Sequence, residues 1–290
     1  MFIKQLLSFG VAAIGTAAMP ALASGAVTQG IFALSGTAEK VTAELSMETT
    51  GPLSRELLIT FADKTTGKRI VHFDEELTQQ LHVLATDSDF SSFLHEHPGK
   101  VGPDGHFRVA MNFPRPGVYH VFADAVPTGL GQQVVRFDVS VASPPGAAVP
   151  HAPSSRHGSD GPYTIQLDQA GLQAGKESML NLTVLKDGKP AQDLGLYLGV
   201  PAHAVFVGTD DLAYVHAHAM SANAANAANG AHGASGGAHG AAHDPAAPVP
   251  ARMMLHAKPP HAGQYALWIQ FMAGGEIRTV PFVVDVAKGS

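Results

Sequence analysis

Residues 81–97 read LHVLATDSDFSSFLHEH, and residues 202–218 repeat the pattern as AHAVFVGTDDLAYVHAH. In both copies two short apolar runs flank a polar break, which is typical of a β-hairpin. Each copy also places one histidine in its first run and a His-x-His pair at the end of its second run. The repeat therefore predicts an all-β fold whose two halves each contain this hairpin.

The spacing of the histidines predicts that three imidazoles meet in each copy. If the turn is symmetric, His82 lies opposite His95, roughly 4.5–5.5 Å away, and the second copy repeats the pair. The last histidine of each copy, His97 or His218, lies on the same face as the histidine two residues before it, because residues two apart on a strand point the same way. Three convergent imidazoles suit a transition metal, whereas a packed core rarely selects histidine. The predicted ligands are His82, His95, His97, His203, His216 and His218.

A fourth ligand is predicted on the strand that follows a proline-rich turn. Residues 119–125 read YHVFADA, and strand parity puts His120, Phe122 and Asp124 on one face. Asp124 is the candidate fourth ligand of the first site. The residue aligned with it in the second half is Gln270, which offers a neutral carbonyl and is a poorer metal ligand. We therefore expect the first site to bind more tightly.

The composition favours a turn-rich β protein and limits the chemistry of any metal site. The chain has 290 residues, enough for two domains, with 14% charged residues, 31 Gly and 20 Pro. It has 16 His and no Cys, which excludes disulfides, thiolate zinc sites and Cys-ligated blue-copper centres. A net charge of −6 without a basic patch makes nucleic acid a poor candidate partner.

The N-terminus has the pattern of a secretory signal peptide over residues 1–23. Lys4 supplies the positive charge, residues 6–19 are mostly apolar or small, and Ala21-Leu22-Ala23 fits a cleavage site. This apolar run is short for a membrane span, and no later stretch reaches that length. We expect a periplasmic or secreted protein with no membrane span after cleavage of the signal.

Strand and turn patterns divide the rest of the chain into two similar domains. Residues 24–142 are predicted to form a first β-sandwich with a metal site, and residues 162–290 a second. Residues 55–63 (RELLITFAD) match residues 177–185 (ESMLNLTVL), which indicates an internal duplication. Residues 143–161 have the Pro, Gly, Ser and Ala content of a linker. The predicted class is two tandem sandwiches of the immunoglobulin or cupredoxin kind.

An insertion follows the second hairpin. Residues 220–250 consist largely of Ala, Asn, Gly and His and lack the large apolar side chains that would offset the entropy of ordering. We expect this segment to be disordered. Its His232, His239 and His243 could capture metal loosely or could be incidental.

The chain resembles a family of secreted bacterial proteins with a repeated His…His-x-His hairpin domain, often grouped with copper and heavy-metal handling proteins of the periplasm. The resembling residues are LHVLATDSDFSSFLHEHP and FPRPGVYHVFAD in the first half, and LYLGVPAHAVFVGTDDLAYVHAHA and AGQYALWIQF in the second. The resemblance implies a β-sandwich and a role with metal, with copper as the expected ion, and no established enzymatic activity. Two features depart from the family pattern: the His97-Pro98 pair becomes His218-Ala219 in the second copy, and the long insertion directly follows the second site.

Three classes of function remain open at this level. The expected one is a periplasmic protein, not an enzyme, that sequesters copper or passes it to other metal-handling proteins, because imidazole suits copper and Cu(II) outcompetes Zn(II) at nitrogen sites. The alternative is a zinc-dependent metalloenzyme with three His ligands and an open position. A structural or interaction protein is the third.

Overall fold

The structure is a computed structural model that describes residues 28–32, 38–142, 155–168, 171–221 and 248–289. The predicted signal peptide lies outside the described residues, as does most of the predicted linker and residues 222–247 of the insertion with their three histidines. The described residues form strands and turns and contain no helix long and apolar enough to span a membrane.

The first half is a two-layer β-sandwich. One layer has the strand order β1-β9-β8-β5-β6, with β4 paired to β8, and the other has the order β2-β3-β7. Its strands are β1 (Thr28–Phe32), β2 (Val41–Thr49), β3 (Ser54–Asp63), β4 (Phe73–Asp74), β5 (Leu81–Asp87), β6 (Phe93–Glu96), β7 (Phe107–Asn112), β8 (Gly117–Pro127) and β9 (Gln133–Val141).

Strict alternation along β7 shows how the sequence builds this sandwich. Phe107, Val109 and Met111 are buried in the core, while the residues between them are exposed. Alternation of this kind covers one face of a sheet with apolar side chains and leaves the other face for solvent. The layer formed by β2, β3 and β7 therefore has one buried face.

The second half has ten strands, which are linked into a single sheet. They form one continuous path, β10-β11-β12-β17-β16-β15-β18-β14, in which β13 pairs with β12 and β19 with β18. The strands are β10 (His157–Asp160), β11 (Tyr163–Asp168), β12 (Ser178–Lys186), β13 (Lys189–Pro190), β14 (Leu194–Gly195), β15 (His203–Gly208), β16 (Tyr214–Ser221), β17 (Arg252–Ala257), β18 (Gly263–Ala273) and β19 (Glu276–Val286).

Equivalent side-chain contacts support the predicted duplication. The hydroxyl of Tyr119 donates to the carbonyl of Arg115 at 2.9 Å, and that of Tyr265 donates to the carbonyl of His261 at 3.0 Å. Each tyrosine thus fastens the start of its strand to the preceding turn, as tyrosine corners do in β-sandwiches. The all-β fold with two tandem sandwich domains is confirmed.

The first strand of each hairpin, β5 or β15, is buried on both faces, because the two halves pack against each other through the hairpin sheets. Every residue of β5 is buried. Leu81, Val83 and Ala85 point into the core of the first half, whereas Leu84 points into a separate cluster shared with the second half. His82 has the same parity as Leu84 and therefore faces the second half.

Two aromatic pairs join the halves. Phe93 stacks on Trp268 with ring centroids 4.8 Å apart, and Phe122 stacks on Tyr214 with centroids 4.9 Å apart. Phe93 and Tyr214 each lie two residues before the middle histidine of their hairpin. The same contact is therefore made twice in opposite directions, so the interface has approximate two-fold symmetry.

The predicted hairpin register is wrong by two residues. Leu84, not His82, lies opposite His95, and His203 lies opposite His218. The turn between the paired residues Thr86 and Phe93 is longer than expected. Within it Phe90 adopts a φ of 57°, and Asp87 accepts hydrogen bonds from the amides of residues 91 and 92. The histidines still share one face, since the shift is an even number of residues.

Two predicted boundaries also need correction. Strand β10 lies inside the segment that we predicted as a linker, so regular structure in the second half starts before Tyr163. Met220 and Ser221 end β16 and are not part of an irregular insertion. Both segments are polar or small-residue stretches whose strand pairing is set by neighbouring strands, which a local pattern does not reveal.

Replacing Trp268 by alanine tests the interface. Trp268 is 3% exposed, and its truncation should lower the free energy of unfolding by about 3–5 kcal/mol. Ile277, which is 48% exposed, is the control, and its change to alanine should alter stability by no more than about 0.5 kcal/mol. Urea unfolding followed by circular dichroism measures both, and equal effects would contradict packing between the halves.

Candidate metal centre

A tight turn fixes the orientation of the first histidine in each hairpin. The Nε2–H of His82 donates to the carbonyl oxygen of Glu76 at 3.1 Å, and that of His203 donates to the carbonyl oxygen of Tyr197 at 3.0 Å. A carbonyl oxygen only accepts hydrogen bonds, so Nε2 must carry the proton in both rings. The lone pair is therefore on Nδ1, which faces the other histidines.

The turns that supply these carbonyls have an unusual backbone. Leu77 and Thr78 both have positive φ, at 48° and 69°, and Leu198 and Gly199 have φ of 51° and 81°. Two consecutive positive φ values define a type I′ turn, which non-glycine residues adopt at some cost. The same strained turn occurs in both halves, where it holds the carbonyl against the histidine ring.

The other two histidines of the first hairpin complete a site of metal-binding dimensions. His95 Nε2 lies 3.3 Å from His82 Nδ1, and His97 Nε2 lies 3.1 Å from the same atom. Two nitrogens that each lie about 2.0–2.1 Å from a tetrahedral ion are about 3.3–3.4 Å apart. The observed separations match this value closely. We call His82, His95 and His97 the first triad.

The second hairpin repeats the site with slightly wider spacing. His203 Nδ1 and His216 Nε2 are 3.4 Å apart. The ring of His218 has its centroid 5.1 Å from that of His203 and 4.7 Å from that of His216. One ligand atom from each of these residues lies within 4.8 Å of the other two, as in the first triad. We call His203, His216 and His218 the second triad.

The middle histidine of each triad is held by the opposite half of the chain. His95 Nδ1–H donates to Gln270 Oε1 at 2.7 Å, and His216 Nδ1–H donates to Asp124 Oδ2 at 3.3 Å. Each contact keeps Nε2 deprotonated and directed at the centre of its own triad. Partners of this kind orient metal-binding histidines and raise their basicity. Each site therefore depends on both halves.

Asp124 lies between the two triads. It is paired with His82 across the β5–β8 ladder, and it is fully buried. Its carboxylate accepts hydrogen bonds from Gln132 Nε2 at 2.9 Å and from the Tyr214 hydroxyl at 3.2 Å, besides that from His216. Direct ligation of a first-site ion by Asp124 stays a prediction. The observed contacts direct the carboxylate toward the second triad.

Burial keeps the imidazoles neutral and ready to bind metal. It is the main cause that lowers the pKa of His82, His95, His203 and His216, and it lowers the pKa of His97 to about 4. Neutral rings whose outer nitrogens donate hydrogen bonds have lone pairs on their inner nitrogens. The inner lone pairs of His82 and His95 face each other at 3.3 Å, and those of His203 and His216 at 3.4 Å, so a cation between them would relieve their repulsion.

A second acid lies near the same place. Burial and the nearby Asp124 raise the pKa of Glu76 to about 7, and burial raises that of Asp124 as well. The two carboxyl groups therefore do not both ionise freely near neutral pH. Glu76 and Asp124 together consequently bring less than two negative charges to the neighbourhood of the triads.

Several residues that position the site were not predicted from the sequence. They are the carbonyls of Glu76 and Tyr197, the side chain of Tyr214, and Gln270 in its role as an outer partner of His95. The sequence did contain a signal for the two carbonyls, since each belongs to the residue six positions before the first histidine of a triad. Among the other histidines, His157 is exposed on β10 and His120 pairs with Asp138 at 2.7 Å.

The structure thus defines a tandem β-sandwich protein with a three-histidine set in each half. Residues 36–143 and 157–288 match the family described as Domain of unknown function (DUF8832), and the chain belongs to this family. No curated protein matches it. A crystal structure of domains 4 and 5 of the S-layer protein SbsC is similar at a TM-score of 0.23 and 11% identity, over 87% of this chain and 100% of that one. A TM-score this low carries no argument.

The crossed contacts predict that Asp124 serves the second triad. The change Asp124→Asn should weaken metal binding at the second triad by about tenfold or more, because it removes the carboxylate that polarises His216. The measurement is copper affinity in two backgrounds. His95→Ala disables the first triad and His216→Ala disables the second. A loss confined to the His216→Ala background would instead make Asp124 a ligand of the first site.

The lowered histidine pKa values predict acid-resistant binding. Protons compete with metal only when the imidazoles can be protonated. Affinity at the first triad should therefore stay nearly constant as pH falls through 6.5, the ordinary value, and decline only toward about 4, where His97 is protonated. Zinc affinity between pH 7.5 and 4.5 measures this. A steep loss already between pH 7 and 6 would show that the rings titrate like free imidazole.

Proposed function

We propose that this chain is a metal-binding protein that sequesters or delivers copper, with one ion in each histidine triad. The observation that carries the proposal is the match between the nitrogen separations, 3.1 and 3.3 Å in the first triad and 3.4 Å in the second, and those of a metal-bound set. The outer nitrogens support it, since hydrogen bonds to acceptors fix the tautomers that bind metal.

Copper is favoured over zinc by the ligand chemistry. Both triads offer neutral imidazole nitrogens, and at generic nitrogen sites copper binds more strongly than zinc. A set of three neutral ligands leaves the charge of the ion uncompensated, which costs more for a divalent than for a monovalent ion in a buried place. Of copper and zinc, copper is the one that also exists in a stable monovalent state.

Burial of the centre favours storage or transfer over catalysis. His82 and His203 are each 1% exposed, so an ion bound by them has little room for a substrate beside it. His97 and His218 are only partly buried and give each triad one side that a metal-exchange partner could approach. A zinc enzyme would need an accessible open position on the ion.

The proposed setting is the periplasm or the cell exterior, where the signal-like N-terminus would direct the chain. A copper protein without cysteine suits such a compartment, because its ligands do not depend on thiols staying reduced. Its expected partners are the copper ion and other metal-handling proteins of that compartment.

Metal analysis of untagged protein tests the proposal. After loading with copper and dialysis against a weak chelator, we expect about two tightly held ions in the wild type. The changes His95→Ala and His216→Ala should each remove about one. His157→Ala, which alters an exposed histidine outside both triads, is the control and should remove none. Retention of both ions in the two triad variants would rule out the triads as the copper sites.

A further inference from the structure

We propose that the two triads form one two-ion centre between the halves, which accepts two monovalent ions but resists a second divalent ion. This inference rests on the proposed function, since it concerns how the same sites are filled. Its basis is the spacing of the rings across the interface together with the neutral ligand set. It gives the second ion a selectivity by charge beyond the preference that each neutral triad has alone.

The rings of the two triads are as close to each other as rings within one triad. The centroids of His82 and His216 are 5.1 Å apart, and those of His95 and His216 are 5.6 Å apart. Within the triads the rings of His82 and His95 are 5.5 Å apart, and those of His203 and His216 are 5.6 Å apart. The six imidazoles therefore form one continuous cluster.

This spacing limits the distance between two bound ions. A metal ion lies about 3 Å from the centroid of an imidazole that binds it at 2.0–2.1 Å. With 5.1 Å between the rings of His82 and His216, two ions are at most about 11 Å apart. Protein atoms occupy the space between them, since His82, His203 and Asp124 are buried. Water and salt therefore screen their repulsion poorly.

The charge of the ions then decides how the second one binds. At a fixed separation, the repulsion between two divalent ions is about four times that between two monovalent ions. The ligands themselves are neutral, and Asp124 is the carboxylate that contacts a ligand ring, through His216 Nδ1. One nearby negative charge offsets a large share of the positive charge of two monovalent ions, but only a small share of the positive charge of two divalent ions.

The crossed hydrogen bonds act in the opposite direction to this repulsion. An ion in the first triad fixes His95 and through it Gln270, which lies opposite His203 on the neighbouring strand. An ion in the second triad fixes His216 and through it Asp124, which lies opposite His82. Each ion thus orders residues next to the other site, and the second ion has less to order. For monovalent ions this gain offsets the weak repulsion.

Titration of the full chain with Ag(I) and with Zn(II) tests the inference. Ag(I) represents a monovalent soft ion without redox chemistry, and Zn(II) represents a divalent one. The three insertion histidines, His232, His239 and His243, are first changed to alanine so that they do not contribute. The variants His95→Ala and His216→Ala in this background give the affinity of each triad by itself, which separates intrinsic differences from coupling.

For Zn(II) we expect the second ion to bind at least about tenfold more weakly than the weaker isolated triad, a typical size for coupling between sites. For Ag(I) we expect two ions, with a second step within about threefold of the isolated triad. Two Zn(II) ions that bind with the affinities of the isolated triads would overturn the two-ion centre and leave the proposed function intact. An equal penalty for Ag(I) would overturn the selectivity by charge. Absence of binding by either ion would refute the proposed function itself.

Discussion

The hydrogen bonds from His95 to Gln270 and from His216 to Asp124 are the contacts on which the arrangement of the centre depends. They can form only when the two hairpin sheets face each other. The geometry of the ligands therefore depends on the packing of the two halves. The apolar cluster around Phe93, Trp268 and Leu84 supplies the attraction that brings the sheets together. The polar contacts then select the one alignment in which each middle histidine meets its acceptor.

Burying six imidazoles at such an interface is costly unless their polar atoms are satisfied. The outer nitrogens of four of them donate to acceptors, namely Glu76 and Tyr197 by their carbonyls and the side chains of Gln270 and Asp124. The inner nitrogens of these four rings face one another in pairs, His82 with His95 and His203 with His216. A positive charge at the middle of such a cluster stabilises it, because it removes the repulsion between the convergent lone pairs. This asymmetry separates a metal centre from a polar core.

The sequence predicted the fold class and both triads because hairpin periodicity and histidine spacing are local properties. It did not predict the pairing of Leu84 with His95, because the turn takes in Phe90 and the amides held by Asp87, and backbone angles of this kind leave little trace in composition. The interface between the halves was also missed. Its signal was present in the sequence of β5, where apolar residues fall on both faces, Leu81, Val83 and Ala85 on one and Leu84 on the other, as in strands that are covered on both sides.

Asp124 and Gln270 occupy equivalent positions in the two halves of the duplicated chain. Their effect on the two triads differs from the effect that the sequence suggested. In a symmetric pair of separate subunits, one residue type would hold both middle histidines, since every interface residue is used twice. Within a single chain the two positions can differ, and here one is Asp124 and the other Gln270. Because the contacts cross, the half that carries the carboxylate is not the half whose histidine it polarises. The second triad therefore has the more basic middle ligand, and the order of affinity that we expected from the sequence should be reversed. The effect of a difference between two copies of a duplicated domain should thus be sought in the half that the residue contacts, rather than in the half that carries it.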